Sequence, residues 1–271
     1  TRYLMRLVAL LIAALLWAGP LAASDNLERL AKAMHLADVA EILRAEGLEQ
    51  GKDLNETLLN GRAGQYYEEQ IDLLFDETRL HNQIASALDR KMTDAQIEKA
   101  AIFFESELGQ SIVTLENAAR RAFWDEQIED YAIASYRDAD RDSPFYRLIE
   151  EYIRLNNLIE LNVQGSMSAH YNFYLGLSEG RDSFASSDSF LLGLLDDEVS
   201  KVETTEWLYS FLLMAYRPLS EAELRENIAF SRTETGRALN RALFAGFDDI
   251  FDGIWYQLGT AVSKEINASD L

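Results

Sequence analysis

A chain of 271 residues with 48% hydrophobic content has apolar material for one large core or two ordinary ones, and with no cysteine it holds them together without disulfides. Its 46 acidic residues outnumber 25 basic ones, and the formal charge of −21 becomes −23 once Arg2 and Arg6 of the leader are set aside. Such a surface repels nucleic acid and anionic lipid, and its natural electrostatic counterparts are basic partners or divalent cations.

Residues 1–24 read as a secretory signal. Arg2 and Arg6 form the basic start, Leu7 to Trp17 the apolar core, and Ala22-Ala23-Ser24 the small residues before a cut near Asp25. The apolar run is too short to span a bilayer, so the mature chain is expected in the periplasm or outside the cell and not across the membrane.

Beyond the leader there are only two prolines and no sustained strand-like alternation, which makes the expected fold class all-α. A helix is predicted from Asp25 to Arg44, ended by Gly47, followed by a connector holding Gly51, Gly61 and Gly64. The next amphipathic helix spans Tyr66 to Leu88. Thr93-Asp94-Ala95-Gln96 is a capping box that starts a helix at Asp94, expected to run to about Phe123 with a kink at Gly109. A further helix covers Gln127 to Tyr136. Ser143-Pro144 opens another that is expected to pass Leu161. From Gly165 to Asp188 the middle reads as helix and the ends as loops. Trp207 to Tyr216 is a short, intensely apolar helix stopped by Pro218, and Ser220 caps its successor. The last helix carries Phe244, Phe247, Phe251, Trp255 and Tyr256, read as core packing.

Sliding the chain against itself by 127 residues lays Thr93-Asp94-Ala95-Gln96-Ile97 on Ser220-Glu221-Ala222-Glu223-Leu224. The register continues with Phe103 on Phe230, Ser106 on Thr233 and Gly109 on Gly236. A shift of 119 places Leu36 on Leu155, Val39 on Leu158 and Glu41 on Glu160. Duplication accounts for both shifts and predicts two pseudo-symmetric helical repeats, 25–142 and 143–271, packed on each other. In the motif helix the glycine would admit a neighbouring backbone, while Ser106 and Thr233 can bond back to helix carbonyls. Glu98 and Glu105 are replaced by Arg225 and Arg232 in the second copy, so an antiparallel meeting of the motif helices would pair Glu98 with Arg232 and Glu105 with Arg225.

The capped start followed by Phe-Phe-Glu-Ser-Glu-Leu-Gly-Gln at 103–110 resembles the signature of a bacterial exported family, domain of unknown function 2059; Phe230 to Gly236 is a looser second copy. In that family a small residue or proline commonly precedes the glycine, where this chain has Leu108 and Thr235. The resemblance implies a helical periplasmic protein and brings no reaction with it.

Chemistry is sparsely signposted. His35, His81 and His170 sit in no metal-ligand spacing, and neither a nucleophile elbow nor a phosphate-binding glycine loop occurs. Asp138, Asp140 and Asp142 alternate as the first ligands of a calcium loop do, but Ser143 stands where its glycine belongs and Ile149 where its bidentate glutamate belongs. The acidic run otherwise complements the positive end of the helix starting at Pro144. These features predict no enzyme and no cofactor, but a non-catalytic module that binds another envelope protein. The alternatives are a divalent-cation or small-ligand site at the acidic linker or the inter-repeat cleft, and a hydrolase built on two facing buried carboxylates.

Overall fold

Capping chemistry places the helix starts. In a computed structural model, which describes residues 25–178 and 197–269, Thr93 Oγ1 accepts from the Gln96 N–H (3.3 Å) and Gln96 Oε1 accepts from the Thr93 N–H (3.0 Å). Ser220 and Glu223 repeat the arrangement, and Ser143 caps a helix whose first residue is Pro144. The signal segment 1–24 and the region around Ser186 lie outside the described residues.

Among the described residues the chain is all-α. It runs through 25–33 (α1), Leu36–Leu58 (α2), Gln65–Leu74 (α3), Glu77–Lys91 (α4), Asp94–Glu105 (α5), Glu107–Ala122 (α6) and Glu126–Arg137 (α7). After the linker come Pro144–Leu155 (α8), Leu158–Ser178 (α9), Asp197–Ala215 (α10), Glu221–Arg232 (α11) and Glu234–Ser269 (α12). None of these helices is long and apolar enough to cross a membrane.

Several expected boundaries move, each for a local reason. The first helix breaks at His35 and the one from Pro144 breaks at Asn157, both in the left-handed region (φ 51° and 53°). These breaks are 122 residues apart, so the register of the early helices differs by three from the expected shift of 119. Gly47 does not end α2. It lies within the helix, and its missing side chain admits the Phe75 ring, from which a Cβ would sit 2.1 Å. The segment from Tyr66 to Leu88 is divided at Phe75–Asp76, where the Asp76 carboxylate accepts from the Arg79 N–H (2.8 Å) and starts α4. Gly165 lies inside α9 and not in a loop.

Two cores result, and each draws on both halves of the chain. Leu30, Leu43, Leu74, Leu80, Leu88 and Ile97 of the first half enclose Ile254, Leu258 and Ala261 of α12. Tyr146, Ile149, Ile153, Leu212, Tyr216 and Leu224 of the second half enclose Leu108, Ile112 and Ala119 of α6. Thus α12, with Leu177 of α9, lies in the first core, and most of the buried face of α6 lies in the second. Each fully buried Leu or Ile contributes roughly 1.5–3 kcal/mol, so withdrawing α12 or α6 would open a core formed mainly by the other half.

The tightest crossing is between α9 and α12. A Cβ on Gly176 would lie 2.0 Å from the Tyr256 carbonyl oxygen, and one on Gly259 would lie 2.1 Å from that of Phe173. Gly253, on the same helix as Gly259, has nothing within 4 Å of such a Cβ. Gly259→Ala is therefore expected to lower stability by about 1–3 kcal/mol through forced separation of backbones, while Gly253→Ala raises it by about 0.5–1 kcal/mol through helix propensity. Urea unfolding of the two variants separates close packing from propensity.

Candidate functional site

The entry of α6 and α12 into the two cores follows two short breaks. Ser106 (φ −69°, ψ 161°) separates α5 from α6, and Thr233 (φ −66°, ψ 161°) separates α11 from α12. The expected continuous helix with a kink at Gly109 instead breaks three residues earlier, at Ser106, whose hydroxyl serves both flanking helices. Ser106 Oγ donates to the Phe103 carbonyl (2.6 Å) and accepts from the Gly109 N–H (3.1 Å). Thr233 Oγ1 donates to the Phe230 carbonyl (2.6 Å) and accepts from the Gly236 N–H (2.9 Å). A Cβ on Gly109 or Gly236 would lie 2.2 Å from the Phe103 or Phe230 carbonyl oxygen, so the neighbour each glycine admits is the end of the preceding helix. Phe103 and Phe230 themselves stack face to face, with centroids 3.8 Å apart and planes 3° from parallel, while Phe104 meets both edge-on.

The charged stripe is arranged differently from the expectation. Glu105 binds Arg29 of α1 (2.7 Å), Arg232 binds Glu151 of α8, and Arg225 reaches Glu221 in its own helix (3.5 Å). Neither Glu98–Arg232 nor Glu105–Arg225 forms. With the aromatic rings occupying the meeting point of α5 and α11, the charges face outward to α1 and α8. The two bridges have reversed polarity, acid on the motif helix in one half and base in the other. The Arg29 hydrogen bond, aided by its charge, lowers the Glu105 pKa against the opposing effect of desolvation.

Asp138, Asp140 and Asp142 do not converge. Asp138 is the C-cap of α7, the Asp140 carboxylate accepts from the Asp142 N–H (3.0 Å), and Asp142 binds Arg147 (2.7 Å). Among the described residues no group of three or more His, Cys, Asp or Glu side chains is placed to hold a metal ion. The linker is a turn anchored by Arg141, whose guanidinium lies over the rings of Tyr136 (5.4 Å) and Tyr146 (5.9 Å). Tyr209 stacks between those two rings, and burial pushes its phenol up to about 12.

Two features escaped the sequence reading. The first is a polar cluster in the second core, where the Tyr216 hydroxyl donates to Glu116 and Tyr152 lies close to Tyr216, with rings 5.8 Å apart. Asn227 is 4% exposed and its side chain faces the Tyr152 hydroxyl. The Glu116 residue retains some surface, but its carboxyl is desolvated. Burial raises its pKa, opposed by the Tyr216 hydrogen bond and by Arg120. Tyr216 is pushed well up by burial first and by Glu116 second. The available signal was spacing, since Leu108, Ile112, Glu116 and Ala119 form one stripe and three of them are core residues.

The second feature is an exposed apolar strip. Ile128 (37% exposed) and Tyr131 (65%) lie one turn apart on α7, and Trp124 (50%) stands in the turn that leads into it. Beside them a cavity of about 190 Å³ is lined by Tyr131, Ala132, Phe145, Leu213 and Met214 among others, so that both halves contribute to it. The aromatic side chains of α12, by contrast, are half-buried, with Phe247, Phe251 and Trp255 packed against the first core.

Residues 78–135 match the bacterial family described as uncharacterized protein conserved in bacteria (DUF2059). The matched stretch holds nearly all of α4, then α5 and α6 with the Ser106 break, Glu116, and the apolar strip of α7. No curated protein and no solved structure matches the chain. Within the matched stretch the stack on Phe230 is the contact most open to test. In a cycle of Phe103→Ala, Phe230→Ala and the double variant, the coupling is expected at about 0.5–1.5 kcal/mol, measured by denaturant unfolding.

Proposed function

We propose that this chain is a non-catalytic interaction module of the bacterial envelope, exported by the 1–24 segment and built from two diverged copies of one helical unit. The proposed duplication is supported by matching details: a capping box, a Ser or Thr break and a following glycine at a separation of 127 residues, and left-handed breaks at His35 and Asn157. The proposed partner is another envelope protein, received on α7 and in the adjoining cavity between the halves.

The observation that carries this reading is the Trp124–Ile128–Tyr131 strip beside an apolar cavity. Aromatic anchors next to a pocket are the usual core of a protein interface. At about 190 Å³ the cavity beside the strip is smaller than the roughly 300–1,000 Å³ of drug-sized ligand sites and suits a single side chain. Glu116 is no member of a carboxylate pair, because the groups around it are phenols, an amide and an arginine; the half-buried Asp248 and Asp252 lie one turn apart on α12, where Asp252 accepts from the Ser168 hydroxyl.

Trp124→Ala with Tyr131→Ala changes surface side chains, so folding stability should stay within about 0.5 kcal/mol per site. Affinity capture of the tagged protein from its native envelope, wild type against the double variant, reads the function. A stoichiometric partner retained by the wild type and lost by the variant is the expected result. An identical set of captured proteins would remove α7 as the docking face.

A further inference from the structure

The apolar strip at the start of α7 lies among carboxylates that the fold leaves without cations. Asp125, Glu126, Glu129 and Asp130 share the two turns that carry Trp124, Ile128 and Tyr131, and all but the half-buried Glu129 are exposed. The Asp125 carboxylate caps α7. Among the described residues no hydrogen bond or ion pair engages the carboxylates of the other three. The nearby arginines are committed elsewhere: Arg120 binds Glu46 (2.7 Å), Arg121 reaches Glu41 (3.7 Å), and Arg137, the one basic residue of α7, binds Glu206 (2.7 Å).

The second copy shows what the same positions hold when the face is covered. At a separation of 127 residues Glu126, Glu129 and Asp130 correspond to Gly253, Tyr256 and Gln257, none of them charged. There α9 of the same chain lies alongside, with the Phe173 ring edge-on to Trp255 (5.8 Å) and Gly176 against the Tyr256 carbonyl. Acid is present where the face is open and absent where the chain covers it.

We propose that the occupant of the open face is a basic amphipathic helix of another protein, its apolar side chains on Trp124, Ile128 and Tyr131 and its lysines or arginines meeting Glu126, Glu129 and Asp130. The inference rests on the reading of α7 as the docking face. A helix suits the strip, which covers two turns or about 10 Å, the reach of side chains at i, i+4 and i+7 on a partner. Among the described residues there is no strand whose edge would take an extended segment. The carboxylates lie about as close together as the Debye length of roughly 8–10 Å, so they act jointly on a docked cation. The cavity carries one charge of each sign, Asp140 and Arg217, so the preference for a basic partner comes from α7. Charge also argues against a second copy of this chain, since two such faces brought together would oppose four carboxylates with four.

Fluorescence anisotropy of two labelled peptides mixed with the whole protein at about 0.1 M salt tests this. One is a leucine–lysine amphipathic helix, the other its leucine–glutamate counterpart with the same apolar pattern. The lysine peptide is expected to bind and the glutamate peptide to stay free. Glu126→Gln with Glu129→Gln and Asp130→Asn, which keeps the Asp125 cap, is expected to weaken the lysine peptide by roughly tenfold. Removing the same charge from α2 and α3 with Asp53→Asn, Glu56→Gln and Glu68→Gln is expected to change it by less than about twofold. Equal weakening by the two triple variants would assign the binding to diffuse acidity and overturn the proposal, as would a lysine peptide that does not bind. Trp124→Ala with Tyr131→Ala reads the face separately. If the glutamate peptide binds the wild type and is lost by this variant, the face stands and the basic partner falls. If the lysine peptide binds this variant as tightly as the wild type, the face falls too. A dimer seen in sedimentation and abolished by the same variant gives the face to a second copy and overturns the proposal.

Discussion

The stacked rings of Phe103 and Phe230, with a hydroxyl break three residues after each, set where α6 and α12 leave α5 and α11. An uninterrupted helix from Asp94 to Ala122 would carry α6 straight on from α5 and away from the second core. At Ser106 one extended residue turns the chain, and its hydroxyl satisfies a carbonyl behind and an amide ahead, so the turn leaves no orphaned polar group at those positions. Thr233 does the same for α12. Because the two turns meet ring on ring, each redirected helix crosses into the core of the other half.

This arrangement accounts for the balance of charge and packing around it. With the crossing filled by aromatic rings, ionic groups on α5 and α11 have only outer faces available, and they pair there with α1 and α8. Both bridges are largely exposed and contribute little on their own. Reversal of acid and base between them preserves the pairing while changing the sign carried by each helix. The α6 and α12 helices are held chiefly by apolar burial, with Leu258 and Ile254 in one core and Ile112 in the other nearly inaccessible to solvent.

Helix starts were legible in the sequence because caps are local: Thr93, Ser143 and Ser220 each announce themselves within four residues. The breaks were not. Ser106 and Thr233 sit in runs that read as continuous helix, and their dual hydrogen bonding depends on where the next helix goes. His35 and Asn157 adopt left-handed backbone without being glycine, and Gly47 looked like a terminator although it makes room for Phe75. The exchange of charge between Glu105 and Arg232 was visible, but the identity of the partners was not, since Arg29 and Glu151 lie 76 and 81 residues away. Glu116 was hidden by abundance: among 46 acidic residues, one on an apolar stripe does not stand out unless the stripe is followed past Ile112.

The α7 strip gains meaning from comparison with α12. In the proposed register Trp124 corresponds to Phe251 and Tyr131 to Leu258, which is 0% exposed in the first core, whereas Tyr131 is 65% exposed. The difference begins at Asp125, whose carboxylate accepts from the Gln127 N–H (2.9 Å) and starts a separate helix. Its counterpart Asp252 lies mid-helix and accepts from the Ser168 hydroxyl (2.9 Å), so α12 continues unbroken into the first core. The same face is thus buried in one half and left open in the other, where α7 turns aside to lie against α10. A helical face that is covered by its own chain in one half and uncovered in the other is where a partner's apolar side chains could take the place of the missing contacts.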